Sequence, residues 1–168
     1  MLRAGDSGMD CGANMGALTA LLAATAAEVL AYEIDSYAFS VLEEKFANTL
    51  NVTLINAAVG VGADAVRLLR SDNFGDTAEG ASVKSTMLDG GRRMDAGSAV
   101  EVTLPDFPAL VREHVTARGE IDFIKIDIEA AELEILETLD REYLFTNIAV
   151  PEMVAAKYPV RKVNLDWI

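Results

Sequence analysis

The stretch that decides the fold is Met9-Asp10-Cys11-Gly12-Ala13-Asn14-Met15-Gly16-Ala17-Leu18-Thr19. A short run of apolar and acidic residues leads into a turn that carries Gly12 and Gly16, and the turn opens directly onto a helical pattern. Glycine lets a backbone approach a ligand closely, and the first amides of a helix have no partner within the helix. A strand, a glycine turn and a helix in this order are typical of an α/β protein that binds a nucleotide-like cofactor.

The spacing of this turn differs from that of a dinucleotide-binding protein. The dinucleotide fingerprint places glycines as G-x-G-x-x-G, whereas Asn14 and Ala17 occupy its second and third glycine positions. A nicotinamide-dependent dehydrogenase is therefore the weaker interpretation. The spacing Asp-x-Gly-x-Asn-x-Gly from Asp10 to Gly16 resembles instead the cofactor loop of S-adenosylmethionine-dependent methyltransferases.

A second predicted strand, residues 28–35, ends in two acidic residues. Glu33 follows Gly16 by seventeen residues, and a carboxylate at the end of the second strand is where an α/β fold binds the ribose hydroxyls of its cofactor. A carboxylate accepts hydrogen bonds without a competing donor, so we predict that Glu33 binds the ribose. Asp35 is predicted to cap the next helix, with Ser36 as the alternative cap.

Residues 121–136, Ile-Asp-Phe-Ile-Lys-Ile-Asp-Ile-Glu-Ala-Ala-Glu-Leu-Glu-Ile-Leu, closely resemble a signature of the FkbM-type methyltransferase family. That signature is a strand, Lys-Ile-Asp, Glu-Gly-Ala-Glu and a helix. The turn at 10–19, the segment 32–35 and the segment 51–60 resemble further landmarks of the family in the same order, so the resemblance covers roughly residues 9–140. Ala130 stands where the family usually has glycine, which predicts a backbone turn that tolerates a Cβ.

The resemblance implies S-adenosyl-L-methionine as the cofactor and a methyl transfer to oxygen of a small molecule, a sugar or a glycolipid head group. The loop backbone and Asp10 would hold the methionine part of the cofactor, and the end of the third strand would lie against its adenine. The predicted cofactor-binding residues are Asp10, Gly12, Ala13, Asn14, Gly16, Glu33, Ile34, Asn56, Ala57 and Asp127. A non-catalytic cofactor-binding module derived from the same fold is the alternative.

Asp127 is the candidate catalytic residue, because it ends the predicted fourth strand at the edge of the sheet where ligands bind. It would orient the methyl acceptor or take up its proton. Capping of the following helix and ligation of a divalent metal stay open as alternatives. Magnesium needs several oxygen ligands, for which Glu129 and Glu152 are the candidate partners, and we predict no metal site.

The alternation of strand and helix predicts a doubly wound, mostly parallel α/β sheet, Rossmann-like as in class I methyltransferases. Residues 121–126 form an apolar run expected of a central parallel strand buried on both faces. Residues 65–69 and 99–103 are predicted to pair as an antiparallel excursion, and Asp106 to cap the helix that follows. We expect residues 1–168 to form a single domain, apparently minimal or truncated at both ends, with a flexible loop at 71–98.

The composition of the chain limits the kinds of partner that it can bind. Its 168 residues carry a net charge of −13, which argues against binding to a nucleic acid backbone. No apolar run is long enough for a membrane span and no signal peptide is predicted, so we expect a cytoplasmic protein, with which its single cysteine agrees. Residues 160–168 are too short to form a closing pair of strands, which predicts an exposed sheet edge. We expect a homodimer to cover that edge, or a further segment of a longer parent protein.

Several other polar residues are predicted to have structural roles. Lys125 lies inside an apolar strand and is expected to form an ion pair rather than to act as a catalytic amine. His114 is expected to be solvated near the end of a surface helix, and Cys11 to be a small core residue. A mostly solvated acidic helix face is predicted for Glu129, Glu132, Glu134 and Glu137.

Overall fold

The computed structural model of the protein describes residues 2–25, 27–62, 65–68, 100–103, 105–128, 132–142 and 148–149. Strands and helices alternate along these residues, as the sequence predicts. In chain order the elements are β1 (Ser7–Cys11), α1 (Ala17–Ala23), β2 (Glu28–Tyr32), α2 (Ser36–Phe46), β3 (Val52–Ile55), β4 (Ala65–Leu68), β5 (Val100–Thr103), α3 (Phe107–Arg118), β6 (Phe123–Ile126), α4 (Glu132–Glu142) and β7 (Ile148–Ala149).

Five of the strands form one parallel sheet in the order β3-β2-β1-β6-β7. The chain moves outward from β1 through β2 to β3 and then returns to place β6 on the other side of β1. The strand order therefore reverses between β1 and β6, and ligands of open α/β sheets bind at the carboxyl ends of the strands beside such a point. The predicted parallel Rossmann-like architecture is confirmed.

The core lies on both faces of this sheet. Neighbouring residues of a strand point to opposite faces, and Ala31 and Tyr32 of β2 accordingly belong to two different apolar clusters. The larger cluster joins β1 and β6 to α3 and α4, and its buried members are Met9, Cys11, Tyr32, Val59, Phe107, Val111, Ile124, Ile126, Ile135 and Leu136. The smaller one packs Leu42 and Phe46 of α2 against Ala13 and Ala31. The sheet is thus doubly wound.

The two ends of the segment between β3 and α3 lie next to each other. β4 and β5 pair with each other in antiparallel fashion, separately from the main sheet, which confirms the predicted excursion. At its base the amide of Phe107 donates to the carbonyl of Gly60 at 2.9 Å, and the amide of Gly62 donates to Oδ1 of Asp106 at 3.3 Å. Asp106 occupies the N-cap position of α3 as predicted, but its side chain binds Gly62 and pairs with Arg112 at 3.5 Å instead of capping the helix.

Some of the sequence predictions lie outside the described residues. They concern the loop 71–98, the turn at Ala130, the acids Glu129 and Glu152, and the C-terminal residues 160–168 with the homodimer they suggest. These, and the single domain over residues 1–168, stay predictions. Within the part of the chain that the structure describes, none of the helices has the length and apolar character that crossing a membrane requires.

Candidate cofactor-binding site

The turn after β1 is built on left-handed backbone conformations. The φ angles of Gly12, Asn14 and Gly16 are +80°, +50° and +70°. A Cβ on Gly12 would overlap the carbonyl oxygen of Asp127, and a Cβ on Gly16 would lie 2.6 Å from Cδ2 of Leu42. Both positions therefore require glycine for conformation and for space. Gly12 allows the turn to pack against the end of β6, and Gly16 allows α1 to begin close to α2.

Backbone contacts fix the turn to the neighbouring strand. The amides of Gly12 and Ala13 both donate to the carbonyl of Tyr32, at 3.0 and 2.9 Å. Ala13 is buried, and its carbonyl accepts the amide of Gly16 at 2.8 Å. From the other side, Nζ of Lys45 in α2 donates to the carbonyls of Met15 and Gly16, each at 2.9 Å. The sequence analysis did not identify Lys45, since nothing in the pattern of α2 indicates which of its polar residues reaches the turn.

Glu33 joins the turn to the end of β2. It is 7% exposed, and its carboxylate accepts the amide of Asn14 through Oε2 and the amide of Asp35 through Oε1, both at 2.7 Å. Burial raises the pKa of Glu33, and the two backbone hydrogen bonds oppose that rise. An ionised carboxylate has about four acceptor positions, so two remain for ligand hydroxyls. Contact with a ribose stays a prediction.

The end of β3 lies beside Glu33. The side-chain amide of Asn56 donates to the carbonyl of Glu33 at 2.8 Å and to that of the partly buried Ile34 at 3.4 Å. The amide of Ala57 donates to the carbonyl of Ile55 at 3.0 Å. The structure therefore brings Ile34 and Asn56 together at the carboxyl ends of β2 and β3, with Ala57 directly after them. An adenine contact here stays a prediction.

Asp35 is the helix cap, as the sequence predicts. Its Oδ1 accepts the amides of Tyr37 at 2.9 Å and Ala38 at 3.1 Å at the start of α2. Capping by a carboxylate satisfies amides that have no partner within the helix. Asp35 thus caps α2, and Glu33 is the acid of the pair whose side chain contacts the turn after β1.

Asp10 is fully buried beneath the turn. Its Oδ2 accepts the hydroxyl of Thr19 at 2.6 Å, and its Oδ1 lies 3.3 Å from Nζ of Lys125. Lys125 therefore forms the ion pair that the sequence analysis expects of it. Thr19 was not identified from the sequence, although it lies in the first turn of α1, where a side chain can face back toward β1. Contact of Asp10 with a cofactor stays a prediction.

Asp127 stands at the mouth of the site. It follows β6 directly, its amide donates to the carbonyl of Cys11 at 3.1 Å, and its side chain is 55% exposed. Its Oδ2 lies 3.6 Å from Nζ of Lys125, so the structure brings Asp10, Lys125 and Asp127 together at the reversal of the strand order. An exposed carboxylate in this place can orient a polar group or accept a proton from it.

The predicted exposure to solvent is wrong for Glu132 and only partly correct for His114. Glu132 is not part of a solvated helix face: it is buried, and its Oε1 accepts the amide of Ile128 at 3.0 Å, because the turn after β6 leaves that amide without a strand partner. His114 is partly buried: its Nε2 is enclosed without a hydrogen-bond partner among the described residues, and burial lowers its pKa, as does the nearby Arg118.

The position of His114 separates it from the site. Arg118 pairs with Glu28, the first residue of β2, and the charge of Glu28 also acts on His114. The first and last residues of a five-residue strand are separated by roughly 13 Å. His114 therefore lies toward the amino ends of the strands, whereas Glu33 and Asp127 lie at their carboxyl ends. Among the described side chains, no cluster of three or more histidine, cysteine or acidic residues could hold a metal ion.

The fold and the candidate site are together those of an α/β protein that binds a ligand at the carboxyl ends of parallel strands. A parallel sheet reverses its strand order beside a glycine turn, and carboxylates follow the second and sixth strands at the same edge. The family model described as the methyltransferase FkbM domain matches residues 10–158. The chain belongs to this family and is a methyltransferase, which confirms the resemblance found in its sequence. A comparison with curated proteins gives no match.

Proposed function

We propose that this methyltransferase binds S-adenosyl-L-methionine at the carboxyl edge of β1, β2, β3 and β6 and methylates an oxygen atom of a small molecule, a sugar or a glycolipid head group. The observation that carries the proposal is the hydrogen bond from the amide of Asn14 to Glu33. It joins a turn that requires glycine at positions 12 and 16 to a buried carboxylate, and a glycine turn and a carboxylate are two features by which α/β folds bind nucleoside cofactors.

The residues at this edge fit such a cofactor. The side-chain oxygen of Asn14, in the turn after β1, is buried without a hydrogen-bond partner among the described residues. A buried acceptor of this kind is satisfied when a ligand supplies a donor. The turn and Asn14 would hold the methionine part, Glu33 the ribose, and Ile34, Asn56 and Ala57 the adenine.

The bound cofactor supplies a methyl group on a positively charged sulfur, which is already activated for displacement. The protein therefore has to position the acceptor oxygen in line with that bond and remove its proton. Asp127 is the residue proposed for this role, because its exposed carboxylate stands at the reversal of the strand order. The carboxylate of Asp127 would orient the acceptor hydroxyl and take up the proton that this hydroxyl loses on methylation.

Calorimetry of the purified protein against S-adenosylmethionine, S-adenosylhomocysteine and NAD tests the cofactor. We expect binding of the first two and none of NAD. Binding of NAD alone would overturn the proposal. The reaction itself is tested by conversion of S-adenosylmethionine in the presence of pooled hydroxyl-containing acceptors, with Asp127→Asn as the matched variant. We expect that variant to bind S-adenosylhomocysteine and to lose turnover.

The proposal also covers the location of the protein in the cell and its assembly. We propose a cytoplasmic protein, supported by its single cysteine, and a homodimer that forms through residues 160–168. Fractionation of cells that express the tagged chain tests the first. Light scattering of the protein with and without residues 166–168 tests the second, and a monomer in both cases would contradict it.

A further inference from the structure

One ammonium group stands among three oxygen atoms directly beneath the turn. Nζ of Lys125 donates to the carbonyl of Gly12 at 2.6 Å and lies 3.3 Å from Oδ1 of Asp10 and 3.6 Å from Oδ2 of Asp127. Asp10 and Gly12 lie at the end of β1, and Asp127 directly follows β6. These two strands flank the reversal of the strand order. The contact with Gly12 is a hydrogen bond, and the contacts with the two carboxylates are ion pairs.

The burial of Asp10 holds this ammonium in place. Asp10 is fully buried, whereas Lys125 is 15% exposed, and the two residues face each other in the pairing of β1 with β6. A buried carboxylate without a cation is strongly unfavourable, which opposes any movement of Lys125 out toward solvent. Thr19 donates to the other oxygen of Asp10, so the carboxylate is held from two sides.

We infer that Lys125 is a positioning residue of the cofactor site. Its ammonium fixes the carbonyl of Gly12, and with it the backbone of the turn, and it also holds the carboxylate of Asp127 at the mouth of the site. The binding part of this inference rests on the proposed function. The part that concerns the turn does not, because it follows from contacts within the chain.

Hydrogen exchange of the ligand-free protein tests the effect on the turn. Lys125→Met removes the ammonium and keeps a side chain of similar length. We expect amides of residues 11–17 to exchange at least about tenfold faster, the size of one hydrogen bond to a charged group, while those of α2 stay unchanged. The control is Arg118→Met, which removes the ion pair with Glu28 at the amino end of β2. We expect this variant to leave the exchange rates of the amides of residues 11–17 unchanged. Equal acceleration in the turn and in α2 would overturn the inference.

A second pair of variants separates positioning from the burial of a charge. Lys125→Met alone leaves Asp10 without its cation and can unfold the protein. We therefore compare Asp10→Asn with Asp10→Asn/Lys125→Met, since the first substitution removes the buried charge from both. The double variant is expected to show the faster exchange in the turn. The same exchange in both variants would overturn the inference.

Calorimetry with S-adenosylhomocysteine on the same pair tests the effect on the site. We expect the double variant to bind about tenfold more weakly than Asp10→Asn alone, again the size of one charge-assisted contact. Equal or tighter binding would overturn the inference, and tighter binding would show that Lys125 occupies the place of a ligand ammonium. If the wild-type protein binds neither S-adenosylmethionine nor S-adenosylhomocysteine, the proposed function fails, and hydrogen exchange alone decides the role of Lys125.

Discussion

The carboxylate of Glu33 accepts the backbone amide of Asn14 at 2.7 Å, so the end of β2 holds the turn that follows β1. We predict that Glu33→Ala weakens binding of S-adenosylhomocysteine by about 1–3 kcal/mol, because buried hydroxyls and the Asn14 amide lose their acceptor. Glu33→Gln retains one acceptor oxygen and is expected to lose less. Calorimetry on the two variants checks this, and an unchanged affinity in Glu33→Ala would refute the ribose assignment.

The pH dependence of binding follows from the burial of Glu33. Burial raises the pKa of Glu33, and ligand hydroxyls need its ionised form as an acceptor. As the pH falls through this raised pKa, affinity for S-adenosylhomocysteine should fall, toward a limit of about tenfold per pH unit. Glu33→Gln should show no such component. Calorimetry over a pH series with both proteins measures the difference, and parallel profiles would contradict the prediction.

The same shift predicts the opposite trend for the stability of the ligand-free protein. Because the pKa of Glu33 is higher in the folded than in the unfolded chain, the folded state binds the proton more tightly. The contribution of Glu33 to the free energy of unfolding is therefore largest below the ordinary glutamate pKa and is lost as the pH rises through the folded value. Urea unfolding of wild type and Glu33→Gln across this range tests it. A stability difference that grows with pH would have the wrong sign.

Gly16 offers a test of packing between α1 and α2. A Cβ there would lie 2.6 Å from both Leu42 and Phe46, at a φ of +70°. We expect Gly16→Ala to lower the free energy of unfolding by about 2–4 kcal/mol, from overpacking together with backbone strain. Gly5→Ala is the matched control, since Gly5 has a φ of +92° and nothing within 4 Å of its Cβ position. Equal losses in the two variants would show that the contacts of Gly16 add nothing.

Cys11 reports on opening of the core. It is the single cysteine of the chain, it is fully buried, and burial followed by the charge of Asp10 raises the pKa of its thiol far above the usual range. The thiolate is the reactive form, so we predict that thiol reagents modify the native protein only as fast as β1 opens. Mass spectrometry of labelling in native buffer and in urea measures this. Rapid labelling of the native protein would show that β1 is accessible.

Much of the fold follows from local patterns in the sequence. Strand and helix alternate visibly, the apolar run at 121–126 predicts a buried parallel strand, and β6 lies within it between β1 and β7. The cap at Asp35 is predicted correctly because its acceptor and donors are close in sequence. The antiparallel pairing of β4 and β5 is also predicted correctly.

The details of the site depend on contacts between distant residues, which no local pattern contains. The carbonyl of Asp127 lies where a Cβ on Gly12 would be, and it does so only because β1 and β6 are neighbours. Glu132 resembles any other acid on a charged helix until the amide of Ile128 is placed within its reach. The partial burial of His114 is also hidden from the sequence, since it depends on how α3 packs near Glu28.

The excursion between β3 and α3 begins and ends at a single point, where Gly60 and Gly62 are bound to Phe107 and Asp106. Its two ends are already joined, so a change in its length asks nothing of the distance between the parallel strands. The segment between β3 and α3 can therefore vary in length without disturbing the parallel sheet. A short linker from residue 62 to residue 105 should accordingly leave a domain that still binds S-adenosylhomocysteine.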